Sequence, residues 1–414
     1  MLPFDISPQE GKTGTQEIKK QSLKKQIIEI FYTQGNKTIA DLCGPTQVSI
    51  PTMTVIMNEL IDEGWVKKTG MGESRGGRKP ALYALNESIR YVAGVDLSRR
   101  YTRMAIFNLN NEPVNGILEI SEGLDTSEDI LNIIKKEMDG LLKKNNISAN
   151  QILGYGVTIP GLIDIRKGIS YSYPHFGDKP IAKTFSELFD GPAYIEHDTK
   201  AMAVGEAWFG LAKNRSNVLC LNIGSGIGLG MILNGSLYHG HSGFSGEFGH
   251  IQMAPGGELC YCGKIGCLET VASGTTMVKK AMAEITNGQS TIINKLVQDR
   301  TEKINLGHII EAANQGDQYA IELIEESGEY LARGISILIH LFNPEAIIIG
   351  GDITPAGSLI KDPIQQKLSK YTMTKLRQDT TILMSNLKEK AGLLGTVPLV
   401  MTNTFASQFE NRLA

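Results

Sequence analysis

Four residues carry the strongest chemical signal in the chain: His250, Cys260, Cys262 and Cys267, in the spacing His-x9-Cys-x-Cys-x4-Cys. Three thiolates and one imidazole are a tetrahedral donor set for Zn²⁺, and four protein ligands leave no position open for a reactive water, so such a metal is structural. Gly256, Gly257 and Gly263 supply the turns that a knuckle of this size needs. The other two of the five cysteines, Cys43 and Cys220, stand far from it. The first ten residues lack a basic segment followed by an apolar one, so a secretory leader is not expected. In a reducing compartment the cluster reads as a metal site and not as a disulfide set.

Three glycine-bearing or acidic turns come next. Gly224-Ser225-Gly226, extended by Ile227-Gly228-Leu229-Gly230, follows the apolar run Val218–Ile223, and its backbone amides can approach a phosphate. Asp96-Leu97-Ser98-Arg99 lies between two apolar runs, with Asp96 and Ser98 as candidate phosphate-side residues. Gly350-Gly351-Asp352 follows Ala346–Ile349, where an adenosine would lie. Each turn alone is equally an ordinary glycine hairpin. Asp198, after Glu196-His197, is placed either for acid–base work or to cap the helix that follows; the two roles are compatible.

The elements that would position these residues fall into two groups. Residues 1–88 read as three helices and a hairpin: an apolar-periodic stretch over 22–33, a short helix over 38–43 stopped by Gly44-Pro45, a third helix after Ser49, and strands at 65–69 and 81–85 around a glycine–arginine loop. That is a winged helix-turn-helix. From Arg90 onward strands and helices alternate in an α/β arrangement, divided here into a small lobe (89–198, with a C-terminal helix over 396–414 packed back on it) and a large lobe (199–395) carrying the knuckle. The 414 residues have a net charge of −3, 41% hydrophobic and 21% charged residues, an ordinary globular composition. Between Lys12 and Pro80 there are 11 Lys+Arg against 7 Asp+Glu, leaving 30 against 37 elsewhere: a basic head on an acidic body. The longest charge-free run, 216–246, has 31 residues and eight glycines, and so reads as strands and loops, not a bilayer span. The expectation is a soluble cytoplasmic protein without membrane partners.

In this order the motifs resemble the actin-like ATPase (ribonuclease H-like) fold of sugar kinases. From Tyr91 to Leu399 the chain is similar to the ROK (repressor, open reading frame, kinase) family, through Thr158-Ile159-Pro160-Gly161, Glu196-His197-Asp198, Gly224-Ser225-Gly226, Glu247-Phe248-Gly249-His250, the cysteine knuckle, Glu269, Gly316-Asp317 and Gly350-Gly351. The resemblance implies a sugar pocket beside a structural zinc. It makes Asp198 the general base of a kinase, Glu247, His250 and Glu269 sugar-hydroxyl ligands, His250 also a zinc ligand, and Gly161 a backbone contact; His197 stands where kinases carry Asn, as in the repressor branch. Where kinase members carry Asp-x-Gly-Gly-Thr, this chain has Asp96-Leu97-Ser98-Arg99-Arg100. Two arginines in a turn without glycine disfavour ATP/Mg²⁺ there, although the pair can still meet an anion. His175 replaces the Asn of the family's Pro-Asn-Leu loop, so these residues do not identify the sugar.

The head resembles that of the family's repressors, and operator DNA is its implied partner. Recognition falls to Ser49, Ile50, Pro51, Thr54, Val55 and Asn58, with Asn58 suited to adenine and Ile50 and Val55 to thymine methyls. Charge is expected from Lys67, Lys68, Arg75, Arg78 and Lys79 of the wing, with Gly76 and Gly77 letting its tip enter a minor groove, and from Lys24 and Lys25. The leading expectation is a sugar-responsive DNA-binding regulator, a repressor acting as homodimer or homotetramer on paired half-sites, with a sugar or sugar phosphate as effector. The alternatives are an ATP-dependent sugar kinase with an added head, and a regulator relieved by a transporter protein.

Overall fold

The computed structural model describes residues 15–72, 79–173, 176, 179–298 and 300–405. It opens with α1 (Thr15–Gln34), α2 (Ile39–Thr46) and α3 (Ile50–Asp62), then an antiparallel hairpin of β1 (Val66–Met71) and β2 (Ala81–Leu85). Thr38 starts α2 through a reciprocal cap: its hydroxyl accepts from the Asp41 N–H at 3.2 Å, and the Asp41 carboxylate accepts from the Thr38 N–H at 2.9 Å. The helix runs through Gly44-Pro45, past the stop that the sequence suggests. A proline in a last turn forfeits one bond only, and Gln47, left-handed at φ 54°, ends the helix instead. Ser49 precedes α3 in extended conformation, but its hydroxyl shares a bond with the Thr52 hydroxyl at 3.0 Å and caps no backbone amide. Leu42, Met53, Met57, Leu60 and Trp65 close the head's core against Ile27, Ile28 and Phe31 of α1.

The body has two five-stranded sheets. The first is built from β3 (Tyr91–Leu97), β4 (Thr102–Phe107), β5 (Leu118–Ile120), β6 (Ile152–Ile159) and β9 (Ala193–His197), in the order β5-β4-β3-β6-β9, with β6 parallel to both β3 and β9. α4 (Ile130–Lys144) and α5 (Ile181–Phe189) cover one face, and a two-residue-stranded hairpin, β7 (Ile163–Asp164) and β8 (Ile169–Ser170), projects beyond β6. After α6 (Asp198–Phe209) come β10 (Val218–Ile223), β11 (Ile227–Leu233) and β12 (Ser236–Leu237), then the knuckle, α7 (Glu269–Ala272), α8 (Gly274–Thr286), α9 (Ile293–Leu296), α10 (Leu306–Asn314) and α11 (Gln318–Phe342). β13 (Ala346–Gly350), α12 (Ser358–Tyr371), α13 (Thr374–Asp379) and β14 (Thr381–Met384) complete the second sheet, order β12-β11-β10-β13-β14, and α14 (Ala391–Phe405) ends the described chain. No helix among the described residues is long and apolar enough to cross a membrane.

Two helices join the sheets. α6 lies under the second sheet and α14 under the first, and they cross so closely that a Cβ on Gly395 would sit 1.9 Å from the Ala201 carbonyl oxygen, and one on Gly205 2.4 Å from that of Ala391. α14 begins at Ala391, five residues ahead of the start expected from the sequence, and residues 406–414 of that expected helix lie outside the described residues. Burial between α6 and the sheet outweighs the one hydrogen bond that Pro398 removes from the helix interior. At its far end Phe405 of α14 meets Trp65 of the head edge-on, at 6.5 Å between ring centres and 87°. The head's core, β3 and α14 thus form one apolar cluster, and the helix running from the cleft ends on the head.

Candidate functional site

The cleft between the sheets has a free volume of about 140 Å³, lined by strand ends and turns from both lobes. At one end stand Gly161, His197, Asp198, Glu247, His250 and Glu269. Gly161 adopts φ 88°, a conformation other residues take only under strain. His197 is the N-cap of α6, its Nδ1 accepting from the Thr199 N–H at 3.3 Å, and Asp198 Oδ1 accepts from the same N–H at 2.6 Å. Asp198 therefore does serve the helix start, yet its side chain keeps 25% of its surface exposed to the cleft. Glu247 is 40% exposed and reaches His250 Nε2 at 3.8 Å.

His250 points two ways. Its Nδ1 lies 3.6 Å from Cys260 Sγ, and Cys262 Sγ lies 3.7 Å from Cys267 Sγ, with all four donor atoms within 4.8 Å of one another. A tetrahedron with arms of about 2.3 Å to sulfur and about 2.0 Å to nitrogen has S–S edges near ~3.8 Å and S–N edges near ~3.5 Å. The donors thus fit a four-coordinate metal ion, with no fifth place for water. The other nitrogen, Nε2, meets the Tyr261 hydroxyl at 3.2 Å on the cleft side. Glu269, the buried first residue of α7, receives the Cys260 thiol on Oε1 at 2.9 Å, while its Oε2 lies beside Gly226. It stands between the metal cluster and the cleft.

The turns read as nucleotide-binding line the rest of the same cleft, and many of their polar groups are bonded within the chain. Asp96 is buried; the Thr158 hydroxyl donates to it at 2.5 Å, but burial dominates and pushes its carboxyl up to about 6. Tyr101, from the turn after Ser98, donates to Asp352 Oδ1 of the other lobe at 3.1 Å. Burial raises the carboxyl of Asp352 and the phenol of Tyr101 alike. Arg103 lies 4.3 Å over the Tyr101 ring, pairs with Glu119 at 2.7 Å and donates to the Glu389 carbonyl at 2.9 Å. Arg99 lies 4.8 Å over the Tyr261 ring of the knuckle. Gly224 and Gly226 are tied to each other, N–H to carbonyl, at 3.0 Å; Ser225 accepts from Thr275 at 2.7 Å; Gly351 at φ 84° is packed against Asn222. Gly350, the last residue of β13, lies behind it against Met202.

Sequence reasoning did not single out Tyr101, Arg103 or Tyr261, although an aromatic residue beside two arginines in a would-be phosphate turn was a usable signal. It also missed the network behind Asp198: His239 Nε2 bonds the buried Glu196 at 2.9 Å, and the buried Lys200 donates to the Gly243 carbonyl at 2.5 Å. Burial lowers Lys200, opposed by Glu196, Glu247 and Asp198. Both contacts hold the loop leading to Glu247.

In the head, Ser49, Ile50, Pro51, Val55 and Asn58 lie exposed on or before α3. Thr54 is half-buried and its hydroxyl is spent on the Ile50 carbonyl at 2.8 Å. Lys24 is a correction: it is buried, bonded to Glu59 at 2.8 Å and Glu63 at 2.5 Å, with Lys20 on Glu59 at 2.7 Å, so it is a core ion pair and not a DNA contact. Lys25 reaches the Thr404 carbonyl at 3.5 Å. Lys67 is paired with Glu87, while Lys68 and Lys79 are exposed. Arg75, Gly76, Gly77, Arg78 and His175 lie outside the described residues.

A winged helix-turn-helix on a two-lobed actin-like ATPase body is the class that fold and cleft define. The chain belongs to the ROK family, whose model matches residues 92–403. It is 29% identical over 403 residues to the xylose repressor of Bacillus spizizenii, covering 96% of this chain and 98% of the relative. A solved ROK family transcriptional regulator, a homologue of the Escherichia coli MLC protein, superposes with a TM-score of 0.74 at 28% identity, covering 95% of this chain and 98% of that one. A ROK glucokinase from Streptomyces griseus, solved with glucose and AMPPNP, gives 0.66 at 28% identity, covering 98% of itself but 75% of this chain.

Proposed function

We propose that this chain is a sugar-responsive transcriptional repressor that binds operator DNA through its head and a sugar or sugar phosphate at the knuckle end of the cleft. The observation that carries the reading is the physical continuity from cleft to head. Asp198 opens α6, α6 crosses α14 at backbone contact, and α14 ends with Phe405 on Trp65. A full-length likeness to repressors, against a kinase likeness that leaves out about a quarter of the chain, supports it.

Asp198, Glu247 and Glu269 offer charged acceptors to sugar hydroxyls, which bind more strongly than neutral ones, and His250 Nε2 adds an imidazole. His250 Nδ1, Cys260, Cys262 and Cys267 would hold Zn²⁺, which supplies a fixed knuckle and no reactive water. Because His250 serves both sites, pocket occupancy is felt by the knuckle. The effector acts only through its differential affinity for two lobe arrangements, which differ in the spacing of the two heads on paired half-sites of a homodimer or homotetramer.

The test is selection of genomic DNA fragments on the full-length protein, followed by titration of the bound duplex with D-xylose, D-glucose, N-acetylglucosamine and their phosphates. One of these releases the DNA, and Glu247→Ala abolishes that release while leaving unliganded binding intact. Failure to retain any fragment sinks the reading. ADP release with any of these sugars that is lost in Asp198→Asn would make the protein a kinase instead.

A further inference from the structure

On the reading that the head binds operator DNA, we propose that Ile50 and Val55 read the half-site through thymine methyl groups, and that no cation on α3 reads guanine. Ile50 is 58% and Val55 56% exposed, and at the first and sixth positions of α3 they stand about 140° apart around the axis, flanking the exposed side of its leading turns. A recognition helix presents those turns to base edges in the major groove. Within the head, Ile50 and Val55 stand apart from the apolar stripe of Met53, Ile56, Met57 and Leu60, which faces the core.

Few groups on the leading turns compete for readout. The commonest specific contact, a cationic side chain on guanine O6 and N7, has no donor here, because α3 contains neither lysine nor arginine. The nearest cations on α1, Lys20 and Lys24, are held by Glu59 and Glu63 at the far end of α3. The Thr54 hydroxyl is bonded to its own helix, and the Ser49 and Thr52 hydroxyls bond each other. What the first two turns offer a base pair is therefore mainly apolar, and the exposed Asn58, ninth in the helix, is the polar reader left, suited to adenine and not to the thymine methyl. The feature of a base pair that apolar atoms recognise in the major groove is the thymine C5 methyl. Exposed Lys68 and Lys79 of the hairpin supply phosphate contacts, which position the head without reading sequence.

The experiment uses the full chain and a half-site defined by fragment selection. Each thymine is replaced in turn by deoxyuridine, which keeps base pairing and removes only the methyl. Loss of one buried methyl is expected to weaken binding about fourfold, at one or two positions per half-site. Ile50→Ala and Val55→Ala each erase the thymine–deoxyuridine difference at one of those positions and leave binding to unrelated duplex unchanged. Both side chains are exposed, so unchanged melting temperatures verify that the variants fold. A flat deoxyuridine scan on a duplex that the protein does retain, or full discrimination surviving in both variants, overturns the inference and leaves DNA binding standing. A protein that retains no duplex overturns the underlying reading as well.

Discussion

At the knuckle end of the cleft Asp198 and Glu247 keep 25% and 40% of their side chains exposed, with Asp198 Oδ1 already accepting from Thr199. At the other end Asp96 is 9% exposed and held by Thr158, while Asp352 receives the Tyr101 hydroxyl from across the cleft. The same residue type is thus half-open to the cleft in one place and part of the scaffold in the other, where Tyr101 and Asp352 make an interlobe contact. Each of these buried carboxylates accepts one bond from its own chain, and the turn beside Asp96 carries the side chains of Arg99 and Tyr101.

The comparison breaks first at the metal. Cys267→Ser, or exhaustive chelation, should reduce bound zinc from one per chain to less than about a tenth, and abolish the sugar-induced rise in melting temperature, as both readouts depend on an ordered His250. Mass spectrometry and thermal shift measure both; a full sugar response in zinc-free protein would separate knuckle from pocket.

Next is the buried end. Asp96 takes up its proton at about 6 when folded, against 3.8 ordinarily, so its ionised form opposes folding at neutral pH. That opposition fades as pH falls through 6 and is gone by about 4. Asp96→Asn should therefore stabilise the protein at pH 7.5 by roughly 2–3 kcal/mol, with the gain shrinking toward nil near pH 4. Urea unfolding at several pH values checks it, and a loss of stability at pH 7.5 would mean that Asp96 is needed ionised.

Asp198→Asn probes the open end. Replacing a charged acceptor by a neutral one should weaken sugar binding about tenfold to a hundredfold in calorimetry and leave stability nearly untouched. Tyr101→Phe gives the smallest effect. It removes one half-buried hydrogen bond to Asp352, costs about 1 kcal/mol in unfolding, and confers no ATP binding, since Arg99 and Arg103 still fill the turn. Nucleotide binding gained by this one change would show the phosphate end to be closed by a single latch.

Much of this was legible before any coordinates. The spacing of His250, Cys260, Cys262 and Cys267 is local, and local spacing survives folding; their donor atoms converge. The buried runs 218–223 and 346–349 became neighbouring parallel strands because continuous apolar runs need both faces covered. What escaped was non-local. Tyr101 and Asp352 are 251 positions apart, and Lys24 meets Glu63 across 39. A lysine in an apolar-periodic helix reads as solvent-facing until its carboxylates are known. Pro45 and Pro398 misled for different reasons: each is a breaker by propensity, but Pro45 stands in a last turn where little is lost, and Pro398 is buried in a helix held by packing.

The Tyr261 hydroxyl on His250 Nε2 has an outcome for affinity. With Nδ1 turned to the metal, Nε2 carries the proton and already donates to the tyrosine oxygen, so an incoming hydroxyl exchanges one bond for another and gains little from that atom. The tyrosine works as a built-in competitor. On the proposed reading it raises the concentration at which the cleft fills, and Arg99, 4.8 Å over the same ring, helps to hold it in place.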